Sequence, residues 1–214
     1  MLRKRTASVI IFHGSGDTGA GIKNWVRSLL GRDFKGSHIR YVYPTAPWQS
    51  YTPYDGEEAN VWFDRKKIHI AADEESDNMS GAYDIANDLI EQQLDGGIPQ
   101  HRIIVGGFSM GGALALHTGY HLNTNLAGVF AHSAFLNRKS IVYESLQNET
   151  ETPELNMFHG TDDDVVDFAW GLETYNTLID LGVRGSFTRL PNAEHELMES
   201  SLLDVEQWIL QKLS

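Results

Sequence analysis

Along the chain, short β-branched and apolar runs alternate with longer stretches in which apolar residues recur at helical spacing. This is the pattern of a parallel sheet joined by crossover helices. Residues 8–12, 39–43, 102–105, 126–131, 155–158 and 186–190 are the predicted strands, and four of them are almost continuously apolar, as strands covered on both faces must be. Residues 80–94 place Ala82, Ile85, Ala86, Leu89, Ile90 and Leu94 on one face of a helix, with Ser80 as N-cap and Gly96, Gly97 and Pro99 as its stop. Residues 110–120, 167–181 and 199–213 are the other predicted helices; in the second, Phe168, Leu172, Tyr175, Leu178 and Ile179 point inward. No linker, repeat or low-complexity tract interrupts the pattern, which predicts a single α/β domain over residues 1–214, a mostly parallel central sheet with helices on both faces. The long irregular span 44–72 carries Pro47, Pro53, Trp48, Trp62 and several tyrosines. Loops of that length are usually functional or disordered. The aromatics predict order, and packing beside the site.

Composition narrows the chemistry. There is no cysteine, which rules out disulfide scaffolds, thiolate-bound zinc, thiol nucleophiles and CxxC redox chemistry. A chain of this length buries roughly 70% of its unfolded surface and needs no such staple. Seventeen basic against 29 acidic side chains give a net charge of −12, a poor match for nucleic acid or an anionic membrane surface. The first five residues carry three positive charges, but the apolar run behind them, Val9 to Phe12, is far shorter than the core of a secretion signal, and no segment approaches the ~20 apolar residues of a membrane span. The expectation is a cytoplasmic protein without stable membrane insertion, and the sequons at Asn78 and Asn148 are read as surface loop.

Gly107-Phe108-Ser109-Met110-Gly111 matches G-x-S-x-G and falls directly after a predicted strand and before a predicted helix. That setting distinguishes a nucleophile elbow from a glycine-rich turn with a bystander serine: the turn strains the serine backbone, and small residues at 107, 111 and 112 relieve the crowding. A serine hydroxyl needs a base, and the base an acid that fixes its tautomer. Asp162-Asp163-Asp164 follow the strand at 155–158, and His195 follows the strand at 186–190. Both loops lie at carboxyl ends of parallel strands, where open α/β sheets gather their sites. Of nine histidines, His117 and His121 sit in a helix, His101 precedes a strand, and His132 and His159 end strands, so His195 is best placed as base. Spacing does not choose among the three aspartates. A calcium loop is disfavoured because the EF-hand spacing is missing. The amides of Met110 and of a residue in the first βα loop, His13 to Gly19, are the candidate oxyanion donors, with Ser15 favoured. A phosphate-cradling reading of that loop is set aside, on the reading that it carries neither G-x-G-x-x-G nor G-K-[ST].

Phe12 to Gly19, Tyr43 to Pro47, Trp62-Phe63-Asp64, Gly106 to Ala113 and the aspartate and histidine loops together resemble the acyl-protein thioesterase and lysophospholipase family of serine hydrolases. The likeness runs over nearly the whole chain. It is closest to the lysophospholipase-like branch, through Ser50-Tyr51-Thr52-Pro53, Asn60 to Arg65 and Met110, where thioesterases proper usually carry Gln. The resemblance implies an α/β-hydrolase fold, Ser109 as nucleophile, Asp163 as orienting acid, His195 as base, the Ser15 and Met110 amides as oxyanion hole, and no cofactor. It implies hydrolysis of acyl thioesters and esters, on an acylated protein or a small ester, with a shallow pocket favouring short chains. Trp62, Phe63 and Val165 are the candidate substrate-binding side chains, among Trp48, Phe135, Leu136 and Met198 as further residues that line or block a groove. The alternatives are a small-molecule carboxylesterase and, from another class, a non-catalytic binding module that keeps the glycine turns but loses a triad member. On oligomeric state the sequence is silent.

Overall fold

A computed structural model describes residues 5–74 and 76–214; at Ser76 and Asp77 it describes the backbone alone. Apart from Arg5, the basic N-terminal stretch lies outside the described residues. Six parallel strands form the main sheet: β1 (Ala7–Phe12), β2 (Ile39–Val42), β5 (Ile103–Phe108), β6 (Gly128–His132), β7 (Glu154–Gly160) and β8 (Gly185–Leu190). Their order is β2-β1-β5-β6-β7-β8. Every predicted strand is present, within one to three residues at either end. The central strands β1, β5 and β6 are buried throughout, which is why their sequences read as unbroken apolar runs. The edge strand β8 is largely exposed.

Alternation along β1 sends Ile10 and Phe12 into one core and Val9 and Ile11 into the other. The first core is closed by α2 (Ser76–Asp95), α3 (Met110–His117), α4 (Ile141–Leu146) and α5 (Phe168–Asp180), which supply Ala86, Leu114, Val142 and Leu178. The second is closed by α1 (Gly19–Leu30) and α6 (Glu199–Lys212) through Ile22, Val26, Leu202, Val205 and Ile209. Helices therefore cover both faces, and the chain has the α/β-hydrolase fold. No described helix is long and apolar enough to cross a membrane.

Three local readings need correction, and a fourth, order in the span 44–72, holds. The α2 helix begins at Ser76 rather than after Ser80, because Met79 is buried three residues before Ala82 and packing extends the apolar stripe by a turn. The predicted helix 110–120 ends as α-helix at His117 and passes into a π-turn, Thr118–Leu122. Helix α1 was absent from the sequence reading because Gly19 and Gly21 weaken its first turn; Thr18 caps it by accepting from Gly21 N–H, and Gly31 ends it at φ 68°. The span 44–72 is ordered and holds a small antiparallel hairpin, β3 (Trp48–Ser50) with β4 (Glu58–Asn60). Tyr51, Ala59, Val61, Trp62 and Phe63 anchor it in the core.

Candidate active site

Ser109, Asp163 and His195 leave the carboxyl ends of β5, β7 and β8, and the folded sheet brings the three together. Ser109 sits at φ 55°, ψ −120°, a strained conformation for a residue with a Cβ. The backbone around it is too close for side chains. A Cβ on Gly107 would lie 2.4 Å from the Gly111 carbonyl carbon, one on Gly111 2.2 Å from Phe12 O, and one on Gly112 2.7 Å from Ala134 Cβ. The Ser109 amide donates to His132 O at 2.9 Å, which fixes the turn to the neighbouring strand.

His195 Nε2 is 3.0 Å from Ser109 Oγ, and its Nδ1 is 2.8 and 3.0 Å from the two Asp163 oxygens. With Asp163 ionised, Nδ1 carries the proton and Nε2 is free to accept from the serine. The Phe108 ring, 4.8 Å from the imidazole centre, supports it from the side. Among the three aspartates only Asp163 has a fully buried side chain, whereas Asp162 and Asp164 are exposed. Asp163 Oδ1 also accepts from the amides of Val165 and Val166 at 3.0 and 2.8 Å. Burial opposes its charge, but hydrogen bonds from His159, His195 and the Val166 amide outweigh it and hold the carboxyl well below the usual carboxylate range. A depressed carboxylate stays ionised until the pH falls through its folded pKa, so Asp163 is charged throughout the neutral range.

The sequence reading missed a second imidazole at this carboxylate. His159 Nε2 donates to Val166 O at 2.8 Å and lies 3.4 Å from Asp163 Oδ2, both side chains fully buried. Of the other histidines weighed as base, His117 is buried against Glu74 and Tyr83 and His121 bonds Ser145, while His132 lies beneath the Ser109 turn with its ring bonded to Ser201.

Ser15 follows β1 and Met110 follows Ser109. Their side chains meet, with Ser15 Oγ 3.7 Å from Met110 Sδ, and among the described residues neither backbone N–H donates a hydrogen bond. Both amides are thus free to serve an anion beside Ser109. The loop carrying Ser15 is fixed by His13, whose Nδ1 donates to Gly14 O and whose Nε2 accepts from Ala46 N, and by Trp62 Nε1 donating to His13 O at 2.8 Å. Gly14, Gly16 and Gly19 do have the G-x-G-x-x-G spacing, which the sequence reading failed to credit. The structure shows why it is not a phosphate cradle: the α1 donors Gly19 N–H and Gly21 N–H bond Thr45 and Thr18 hydroxyls, and the Asp17 carboxylate lies 1.8 Å from where a Gly21 Cβ would be.

The pocket over Ser109 is walled by Tyr51, Arg65, Ile68, Met110, Ala113, Phe135, Val165 and Val166. Its enclosed volume is ≈10 Å³, about what one water needs by that measure. Val165, 44% exposed, and Phe135 are at the pocket. Trp62 is not: at 2% exposure it belongs to the core and braces the loop that carries Ser15. Phe63 and Leu136 line a neighbouring cavity, Trp48 is exposed on the hairpin, and Met198 packs under α6. Tyr51, Arg65 and Ile68 are not among the expected pocket residues; Tyr51 and Arg65 stand only in the family-like runs 50–53 and 60–65, and no period or motif marks Ile68, since an irregular segment delivers all three.

A serine on a strained strand-to-helix turn, bonded to an imidazole that is bonded to a buried carboxylate, defines a serine hydrolase of the α/β-hydrolase class. The sequence profile of the Phospholipase/Carboxylesterase family matches residues 2–213, and the chain belongs to that family. It is 42% identical over 211 residues to lysophospholipase-like protein 1 of Mus musculus, covering 98% of this chain and 88% of that protein. With acyl-protein thioesterase 1 homolog 2 of Dictyostelium discoideum the identity is 33% over 208 residues, covering 95% and 91%. Acyl-protein thioesterase 2 of Zea mays superposes with a TM-score of 0.83 over 99% of this chain and 95% of that one; at 23% identity this speaks to the fold alone.

Proposed function

We propose that this hydrolase cleaves short-chain acyl thioesters and esters through an acyl-enzyme on Ser109. The observation that carries the reading is the unbroken hydrogen-bonded chain from Ser109 through His195 to Asp163. His195 Nε2 takes the hydroxyl proton as Ser109 Oγ attacks the acyl carbon, and Asp163 stabilises the imidazolium. The Ser15 and Met110 amides receive the oxyanion. Collapse of the tetrahedral species breaks the bond to the leaving group, which takes the proton from His195. Water then attacks the acyl-serine by the same route. A cysteinyl thiol, with a pKa near 8.5, leaves as thiolate far more easily than an alkoxide, so the same site serves both bond types.

The small pocket supports the short-chain preference. Each buried CH₂ contributes about 0.8 kcal/mol, a gain a long chain cannot collect where no tunnel is open. The acyl-protein thioesterase relatives support an S-acylated protein as substrate. The carboxylesterase reading differs only in the leaving group, and rates on an S-acylated peptide and a free ester of equal chain length separate the two. The test of the nucleophile is Ser109→Ala, which abolishes both labelling by a fluorophosphonate and hydrolysis of a short nitrophenyl ester. Retention of either moves the nucleophile elsewhere.

A further inference from the structure

The pocket over Ser109 contains two polar side chains that ester hydrolysis leaves unused. The Arg65 guanidinium carbon lies 4.9 Å from the Phe63 ring centre and 5.5 Å from that of Phe135. Its Nε is buried without a hydrogen-bond partner, and the phenolic oxygen of Tyr51, which lines the same pocket, is buried with only the Ser15 side chain at hand. The nearby carboxylates are committed elsewhere. Asp64 accepts from the Thr52 amide and hydroxyl, and Glu74 from Ser140 and the Ile141 amide while pairing with His117. Among the described residues, neither comes within ion-pair distance of Arg65. Burial works against the arginine's charge, offset only partly by Tyr51, Glu74 and Asp64.

A guanidinium offers donors only, and a phenol can give one more. Filling this pocket with plain hydrocarbon would leave the guanidinium unpaired beneath the acyl chain. Sites built with waiting donors discriminate strongly in favour of substrates that bring the matching acceptor, far more than an apolar pocket discriminates between chain lengths. The acceptor that matches a guanidinium fork in shape and charge is a carboxylate.

We propose that the pocket selects short acyl groups ending in a carboxylate, the half-thioesters of three- and four-carbon dicarboxylic acids, with Arg65 and Tyr51 binding the distal carboxylate. The proposal rests on Ser109 being the nucleophile. Arg65 and Tyr51 determine specificity in it and take no part in bond making. A three- or four-carbon acyl group exceeds the ≈10 Å³ open between these side chains, so binding it requires pocket walls such as Ile68, Phe135 or Val165 to give way.

The test compares kcat/KM for malonyl against propanoyl, and succinyl against butanoyl, thioesters of N-acetylcysteamine, with the Ser109→Ala rates subtracted as spontaneous hydrolysis. Wild-type protein should favour the carboxylated member of each pair by at least about ten-fold. The ratio should fall to within about two-fold of unity in Arg65→Met, be partly retained in Arg65→Lys, and drop several-fold in Tyr51→Phe. Fluorophosphonate labelling of Ser109 shows which variants keep an intact site, and the ratio is read in those. If wild-type protein turns over propanoyl and butanoyl thioesters but prefers neither carboxylated partner, the proposal falls and the nucleophile assignment stands. A preference that survives Arg65→Met in labelled protein also overturns it. If wild-type protein neither labels nor hydrolyses any of the four, the assignment of Ser109 falls first and takes the proposal with it.

Discussion

The site is assembled from two regions of different character. One is the carboxyl edge of the sheet, where Ser109, Asp163 and His195 stand on turns fixed by strand register and by glycines that admit no side chain. The other is the segment from 44 to 74, which crosses in front of that edge as hairpin, short turn and irregular chain, and delivers Tyr51, Arg65 and Ile68 to the pocket. Positions at the edge are dictated by the sheet, and in the proposed mechanism they attack the bond. Positions on the segment depend on how an irregular chain folds over, and in the same proposal they select the acyl group. Chemistry and selectivity can therefore be altered separately, and substitutions in the two regions should have different kinetic signatures.

The largest effects belong to the edge. Asp163→Asn should lower kcat about 10⁴-fold by allowing the wrong imidazole tautomer, while Asp162→Asn and Asp164→Asn, on exposed side chains, should stay within about three-fold of wild type; steady-state kinetics on one short nitrophenyl ester resolves all three. His159→Asn removes the imidazole that lies 3.4 Å from the Asp163 carboxylate, a loss of about 1 kcal/mol, so kcat should fall on the order of five- to ten-fold with KM little changed. On the segment, Ile68→Ala should leave acetyl ester hydrolysis close to wild type. Turnover of longer chains should rise by up to about four-fold for each additional CH₂ that gains cover, and a chain-length series reads this directly. A substitution on the segment that lowered kcat for every chain length alike would erase the distinction between the two regions.

Acid should weaken the edge by a route that does not involve Asp163. His132, buried beneath the Ser109 turn, has its pKa lowered to about 3, first by burial and then by the neighbouring His159 and His195. It is neutral in the native protein, whereas the unfolded chain takes up the proton below its ordinary pKa near 6.5. The stability this group contributes is therefore complete above that pH and is lost progressively as the pH falls toward 3. The full loss is on the order of 4 kcal/mol. Urea denaturation at pH 7 and pH 4.5 should show the decline, and His132→Gln should flatten it.

The difference between the regions also explains what could be read from the sequence. Strands β1, β5, β6 and β7 are legible because burial on both faces leaves no polar alternation to confuse. Ser109 and His195 are legible because each follows such a strand. By spacing Asp163 is one of three equal candidates, since spacing carries no information about which side chain turns inward; the family resemblance alone points to it, and burial separates it from the exposed Asp162 and Asp164. Trp62 illustrates the opposite failure: an aromatic in the right segment suggested a pocket wall, and the fold uses it as a brace for the loop that carries Ser15. Arg65 was visible only as part of a family-like run, because its position depends on Phe63 and Phe135 meeting from distant parts of the chain.

The central claim is that three side chains from three turns act as one catalytic unit. Its most direct test is kcat for Ser109→Ala, His195→Ala and their double variant, with background hydrolysis subtracted. Interdependent groups predict that the double variant is no slower than Ser109→Ala alone, each having already lost roughly 10⁶-fold. Losses that multiply, or a His195→Ala protein that keeps most of its rate, would contradict it.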